Sequence, residues 1–444
     1  MRFLVSTLIS SSMRILIPAF VLSLSTFLHA EWPQWRGPDG QGQADEAALA
    51  VKWSEMEGIA WRTDLPGRGW SSPVVANGQV WMTAAVETPA STEETARRLK
   101  TNTSDQPLTL LAQVELRALC VDAQSGKLLH NILLLTKKDP QWVHQLNSYA
   151  SPSPVLMKSR LYCQFGTLGS ACLDTATQKV VWTNEDSGLQ IMHENGPGST
   201  PVVESERMIF HMDGSDRQFV AALDTATGKL AWKTARSGEM HNNPQFKKSY
   251  GTPLVVTVNG RRQLLSTGSD WLYSYDPLSG HELWKLPYGE LGFSITPRPV
   301  FHEGMLYMAT GFGKGRILAV KIEGVEKPEI LWKFDKGAPT QASLLIDNGL
   351  LYLASEGGVL TCVDVKVGSE VYRERLGEPF SASPMVAGGA LYFPGREGTT
   401  YVLKRGREFS KVSENKLAGR QMASFAAEGG VLYIRTDKAL YAVK

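Results

Sequence analysis

The segment ALDTATGKLAW, running from Ala222 to Trp232, decides the fold. Asp224, Thr227 and Gly228 are turn chemistry: Asp and Thr bond nearby backbone groups, and Gly accepts a positive φ. Trp232 follows on a short apolar run and offers a large plate for packing between neighbouring sheets. The same spacing recurs at Cys172, Asp174, Thr177 and Trp182, with Gln178 in place of Gly, and at Ser274, Asp276, Ser279, Gly280 and Trp284. Weaker copies contain Cys120, Asp122, Ser125, Gly126 and His130, and Cys362, Asp364, Gly368 and Tyr372.

A second element alternates with the first. Ser/Thr-Pro opens an apolar run at Ser72-Pro73, Ser153-Pro154, Thr200-Pro201, Thr252-Pro253 and Ser383-Pro384. Degenerate copies are Arg298-Pro299, Ser343-Leu344 and Ser424-Phe425. In most copies an apolar pair follows after a turn, as in Val80-Trp81, Leu161-Tyr162 and Leu432-Tyr433. Short β-branched and aromatic runs between turn residues read as antiparallel meanders. A lone four-stranded sheet leaves both faces exposed, so the units must stack side by side. The copies predict an all-β, eight-bladed β-propeller of four-stranded antiparallel blades, with seven blades as the alternative count. The last copy ends after three strands. Ile59-Ala60-Trp61-Arg62 resembles Leu230-Ala231-Trp232-Lys233 and has no strands of its own before it. An N-terminal strand around Trp61 is therefore expected to complete the last blade and close the ring. Trp61, Trp182, Trp232, Trp284 and Trp332 are the expected docking residues between blades.

These repeats resemble the pyrroloquinoline-quinone-like (PQQ-like) propeller family, with the pattern at 222–232 as its tryptophan-docking motif. The stretch from Trp32 to Pro38, WPQWRGP, looks like the opening of secreted bacterial members. The resemblance implies either a PQQ- and calcium-dependent alcohol or sugar dehydrogenase or a non-enzymatic propeller of the outer-membrane assembly type, so it does not choose the function.

Composition narrows the choice. The 444 residues carry 46 Lys+Arg against 44 Asp+Glu, which makes no electrostatic case for nucleic acid. Residues 1–30 read as a signal peptide with Arg2 and Arg14 as its only charges and cleavage near Ala30. Residues 31–57 form an N-terminal arm and 58–444 the propeller. No later stretch is apolar enough to span a bilayer, so a periplasmic or secreted protein is expected. No two of the cysteines are adjacent, as the alcohol-dehydrogenase branch requires. Cys120, Cys172 and Cys362 share a small-residue slot with Ala222 and Ser274 and read as packing; a Cys163–Cys172 disulfide stays open. Glu194-Asn195 is the nearest candidate for a calcium-ligating pair, and no local cluster clearly supplies a quinoprotein site. No haem-attachment, nucleophile-elbow or phosphate-loop motif is found, and Gly311-Phe312-Gly313-Lys314-Gly315 reads as a flexible hairpin.

Connections from one blade to the next are short from Trp61 to Pro73 and from Tyr372 to Pro384. They are long from His130 to Pro154, Trp182 to Pro201 and Trp232 to Pro253. A further insertion, 87–112, carries Ser91-Thr92-Glu93-Glu94, a capping-box signal for a short helix. All four elaborations fall on one face, where a rigid scaffold commonly displays function. The candidate binding face combines residues 87–112, 134–150, 184–199 and 235–250. Its candidate residues are Arg68 and Trp70 on a shorter loop, then His144, Asn147 and Tyr149, then His193, Glu194 and Asn195, then His241, Asn242, Asn243, Lys247 and Tyr250. Three readings stay open: solvated loop residues, a metal site through the histidines, and a surface for a polar small molecule or a protein partner. The expected role is a binding or scaffold module, with the quinoprotein dehydrogenase as the alternative.

Overall fold

The computed structural model describes residues 31–44, 48–100, 108–193, 195–325 and 327–444. The expected signal peptide and Glu194 lie outside them, as do the 101–107 part of the insertion and 45–47 in the arm. Eight four-stranded antiparallel sheets form the chain. Blades 1 to 8 are numbered by their innermost strands: Val74–Ala76, Val155–Met157, Val202–Glu204, Leu254–Val258, Val300–His302, Leu345–Asp347, Met385–Ala387 and Ala426–Glu428. The strand Ile59–Asp64 pairs antiparallel with Ala439–Val443 and becomes the outer strand of blade 8, so the N-terminal clasp closes the ring as the repeat demanded. The eight-blade count stands, including the three degenerate copies.

The repeated turn explains how blades lock together. Asp224 Oδ1 accepts from the Thr227 N–H (2.9 Å) and hydroxyl (2.8 Å), and those donors hold its carboxyl below the usual range. Gly228 has φ +69°, and a Cβ there would sit 2.5 Å from the indole of Trp182 in blade 2. The Trp182 Nε1–H donates to the Thr225 carbonyl (2.9 Å). Trp61 on Gly126, Trp232 on Gly280 and Trp332 on Gly368 repeat this docking, each indole lying against the turn of the following blade. Glycine is thus required twice over, by backbone conformation and by contact with the ring. Trp284 departs from the expectation. Blade 5 has no such turn for it, and its Nε1–H donates within its own blade to Gln263 Oε1 (3.0 Å).

Cys163 pairs across the sheet with Ala171, while Cys172 pairs with Tyr162. The two thiols therefore point to opposite faces of blade 2 and pack into different clusters, Cys163 toward blade 1 and Cys172 toward blade 3. All four cysteines are free and buried. Burial pushes the Cys120, Cys172 and Cys362 thiols up to about 12, which leaves them unreactive.

One buried polar network anchors the long connection into blade 4. Arg236 forks onto Asp213 through Nε (3.0 Å) and Nη2 (2.7 Å). The Arg236 Nη2–H groups also reach Ser266 Oγ (2.9 Å) and His211 Nδ1 (3.1 Å), and the guanidinium lies over the Tyr273 ring at 4.8 Å. Burial first, and then the Arg236 charge, drive the His211 pKa well below its ordinary 6.5. His211 is thus neutral in the fold.

Two outcomes follow. Gly228→Ala and Gly324→Ala place the same strain at φ +69°, but nothing lies within 4 Å of a Cβ at Gly324. Denaturant melts should show a loss of about 1 kcal/mol for Gly324→Ala from conformation alone, and about 1–3 kcal/mol more for Gly228→Ala from the displaced indole. Equal losses would refute the docking role. Neutral His211 cannot take up the proton that the unfolded chain binds below about pH 6.5. Stability should therefore fall on acidification by up to about 1.4 kcal/mol per pH unit from this group. His144, also lowered by burial, adds in the same direction. Melts of His211→Gln between pH 7.5 and 5.5 should show a shallower decline than the parent.

Candidate functional site

The eight Ser/Thr-Pro positions meet at the axis. The Ser72 N–H donates to Ser153 Oγ (2.8 Å), Ser153 to Thr200 (3.0 Å) and Thr200 to Thr252 (3.0 Å). After a break between Thr252 and Arg298, donors run from Arg298 to Ser343 (3.0 Å), Ser343 to Ser383 (3.0 Å), Ser383 to Ser424 (2.9 Å) and Ser424 to Ser72 (2.9 Å). Only Arg298 brings no hydroxyl to this ring. The proline that follows most members removes a backbone donor at a crowded site and keeps the preceding residue extended.

The arm threads the channel beneath this ring. Trp32 exchanges two backbone bonds with Val75 of blade 1, and the Pro33 carbonyl accepts from Leu156 of blade 2. Gly42 and Ala44 bond Val386 of blade 7. The arm therefore pairs with inner-strand edges that would otherwise face an open channel. Trp35 donates from Nε1 to Ser424 Oγ (3.1 Å) and forms the floor of a funnel on the loop face.

The funnel measures about 730 Å³ and draws its lining from the whole circumference. Trp70, His144, Asn147, Asn195 and Tyr250 are the sequence candidates that reach it. Asn147 and Asn195 are held in place: Asn147 Nδ2 donates to the Asn195 carbonyl (2.7 Å), and Asn195 Nδ2 donates to the Tyr250 hydroxyl (3.0 Å). The Tyr250 hydroxyl in turn donates to the His193 carbonyl. Arg68 clamps the first long loop by donating to the Gln145 (3.0 Å) and Asn147 (2.8 Å) carbonyls, with its guanidinium over Trp70.

Other candidates lie elsewhere. Tyr149 is buried and donates to the Gln141 carbonyl (2.8 Å), so it is a packing residue. His193 is also buried, and its Nδ1 accepts from the Gly196 N–H (2.8 Å). His241 and Asn242 line a separate outer cleft with Glu239, Asp270, Trp271 and Glu290. Asn243 caps the short helical turn Pro244–Lys247, at whose end Lys247 sits. The three histidines thus do not converge, and among the described residues no group of three or more His, Cys, Asp or Glu is placed to hold a metal. The insertion is also displaced from the funnel. Ser91 caps the expected helix, Thr92–Leu99, but Arg98 bonds the Leu111 and Pro140 carbonyls, and none of the described residues of 87–112 lines the funnel. Residues 134–138 belong to the strand Leu128–Lys138, so the loop that follows begins at Asp139.

Several lining residues were missed. Phe293 and Phe312 meet edge to face at 5.7 Å, and Phe312, at the tip of the glycine-rich hairpin, is 59% exposed. Glu356 and Arg396 occupy equivalent tight turns of blades 6 and 7, a correspondence visible in the repeat alignment itself. Burial pushes the Glu356 carboxyl up, and its Oε1 accepts from the Thr340 N–H (2.8 Å). Burial lowers Arg396, which donates to Ser381 Oγ (2.8 Å). Gln245, Lys248 and Gln341 complete the polar wall.

A quinone cofactor with calcium does not fit the described residues. Calcium takes six to eight hard oxygen ligands. Glu356 is the one carboxylate among the described lining residues, and its Oε1 is already taken by the Thr340 N–H. No helix among the described residues is long and apolar enough to cross a membrane.

Comparison with known proteins agrees with this geometry. A curated relative, outer membrane protein assembly factor BamB of Yersinia pestis, is 22% identical over 279 residues, 59% of this chain and 65% of that protein. The alignment thus spans less than two thirds of that relative. The crystal structure of BamB from Moraxella catarrhalis superposes with a TM-score of 0.52 at 12% identity, covering 81% of this chain and 100% of that one. The quinohemoprotein alcohol dehydrogenase of Comamonas testosteroni gives 0.58 at 12% identity, covering 93% and 80%. At such identities these structures share the fold alone. The family model described as outer membrane protein assembly factor BamB matches residues 117–328 and 313–444, and the chain belongs to this family of PQQ-like β-propellers.

Proposed function

We propose that this protein is an exported binding and scaffold module whose funnel receives a polar segment of a partner protein. The observation that carries the reading is the axial end of the funnel, where Trp35, tied to Ser424, and the inner-strand hydroxyls of Ser72, Ser153, Thr200, Thr252 and Ser383 form the lining. Its wall combines aromatic faces, side-chain amides and hydroxyls with charges of both signs at Lys248, Arg396 and Glu356, a mixture suited to backbone and polar side chains rather than to a ligand of one charge. The amides are held by their neighbours before any ligand arrives, which reduces the ordering cost of binding. A curated relative named as an assembly factor supports a protein partner.

Crosslinking in the periplasm should recover a specific partner. Combined Phe312→Ala and Gln245→Ala should reduce recovery about tenfold or more, as expected for loss of a central aromatic contact. Leu331→Ala, on the outer strand of blade 5, should leave recovery unchanged. Equal recovery from all variants would refute the funnel as the contact. A stoichiometric quinone spectrum on adding PQQ and calcium, with dye-linked alcohol oxidation, would overturn the reading in favour of an enzyme.

A further inference from the structure

Two arginines, Arg36 of the arm and Arg298 ahead of the inner strand of blade 5, lie in the axial channel below the funnel. Arg36 is 1% exposed and Arg298 is 3% exposed. Arg36 Nη2 donates to the Leu344 (2.6 Å) and Gln41 (2.7 Å) carbonyls, whereas Arg36 Nε and Nη1 are buried without a protein acceptor. Arg298 donates from Nε to the Pro253 carbonyl (3.1 Å) and from Nη1 to the Gly40 carbonyl (3.2 Å). No carboxylate bonds either guanidinium among the described residues. Asp39, the acid whose charge reaches them, is exposed and accepts from the Gln41 N–H (2.8 Å).

The arm is shaped around this pair. Gly40 and Gly42 have φ +70° and +84°, and Cβ atoms there would sit 2.0 Å from Arg298 Nη1 and 2.9 Å from Arg36 Nη2. Any side chain at either position would displace a guanidinium. The backbone from Arg36 to Gly42 folds back on itself, with the Gly42 N–H donating to the Arg36 carbonyl (2.8 Å).

Burial costs a cation dearly unless it is paired. Burial pulls Arg36 down to about 9, with the Arg298 charge adding to the effect, and pulls Arg298 down to about 10. Both stay charged near neutral pH, so the channel carries two positive charges and at least two open N–H donors. Carbonyls satisfy donors but do not neutralise charge. A small monovalent anion does both.

We propose that the axial channel binds a halide ion against the Arg36 guanidinium, close to Arg298, as a built-in counterion that fastens the arm to blades 5 and 6. The site is separate from the funnel lining and does not depend on the partner-binding reading.

Crystals of the full chain soaked in sodium bromide should show an anomalous peak within hydrogen-bond reach of Arg36 Nε or Nη1. Bromide found only on the outer surface, with water density at Arg36, would overturn the proposal. Thermal melts at fixed ionic strength should run higher in sodium bromide than in sodium gluconate by a few degrees. That difference should vanish in Arg36→Met. If Arg36→Met fails to fold, Arg298→Met is read in its place. A bromide effect that persists in the variant would also overturn the proposal.

Discussion

The hydroxyl ring at the axis is the constraint on which the rest depends. Eight blades converge where there is least room, and each must present the start of its inner strand to the next. A hydroxyl at that position accepts the N–H of the preceding blade, and the bonds run from Arg298 through Ser343, Ser383, Ser424, Ser72, Ser153 and Thr200 to Thr252, open only between Thr252 and Arg298. Each contributes only about 1 kcal/mol net. Their greater effect is geometric, since every inner strand is set at one height and one distance from its neighbour. The loops that follow the outer strands then open at a common rim, which is why residues far apart in sequence share one funnel.

The ring has a single substitution, and it coincides with the arm. Arg298 stands where the other blades carry Ser or Thr. Its backbone N–H still donates to Ser343, but its side chain turns to Pro253 and to Gly40 of the arm. The position that weakens the ring therefore ties in the plug. One continuous N-terminal segment supplies the plug, covers the edges of inner strands and ends as the clasp of blade 8.

Much of the fold was legible because its determinants are local and repeated. Asp224, Thr227, Gly228 and Trp232 lie within one turn and one strand, and the orphan strand at Trp61 matches its counterparts residue for residue. The arm was not legible in the same way. Arg36 is held by the carbonyl of Leu344, 308 residues away, and any residue can offer a carbonyl. Long loops pointed to the face on which the funnel opens, and Asn147, Asn195 and Tyr250 of those loops line it. Orientation within a loop was beyond reach. Tyr149 and His193 read as polar candidates, yet both turn inward, because the loop backbone needs buried anchors as much as the rim needs exposed groups. Glu356 and Arg396 were overlooked because they sit in the shortest turns, where length carries no signal.

The placement of buried charge follows the same logic. Acid–base or redox chemistry needs groups whose protonation or ligation is set against one another in a shared space. Here the strongest buried electrostatic cluster, Arg236 with Asp213 and His211, is satisfied internally and serves to fasten a loop. The second, at Arg36 and Arg298, lies under the floor. The funnel presents shape, aromatic surface, amides already fixed in direction, and the ionisable side chains of Lys248, Glu356 and Arg396. The loops that differ in length from blade to blade give this lining its asymmetry, so whatever selectivity the funnel has is written in them.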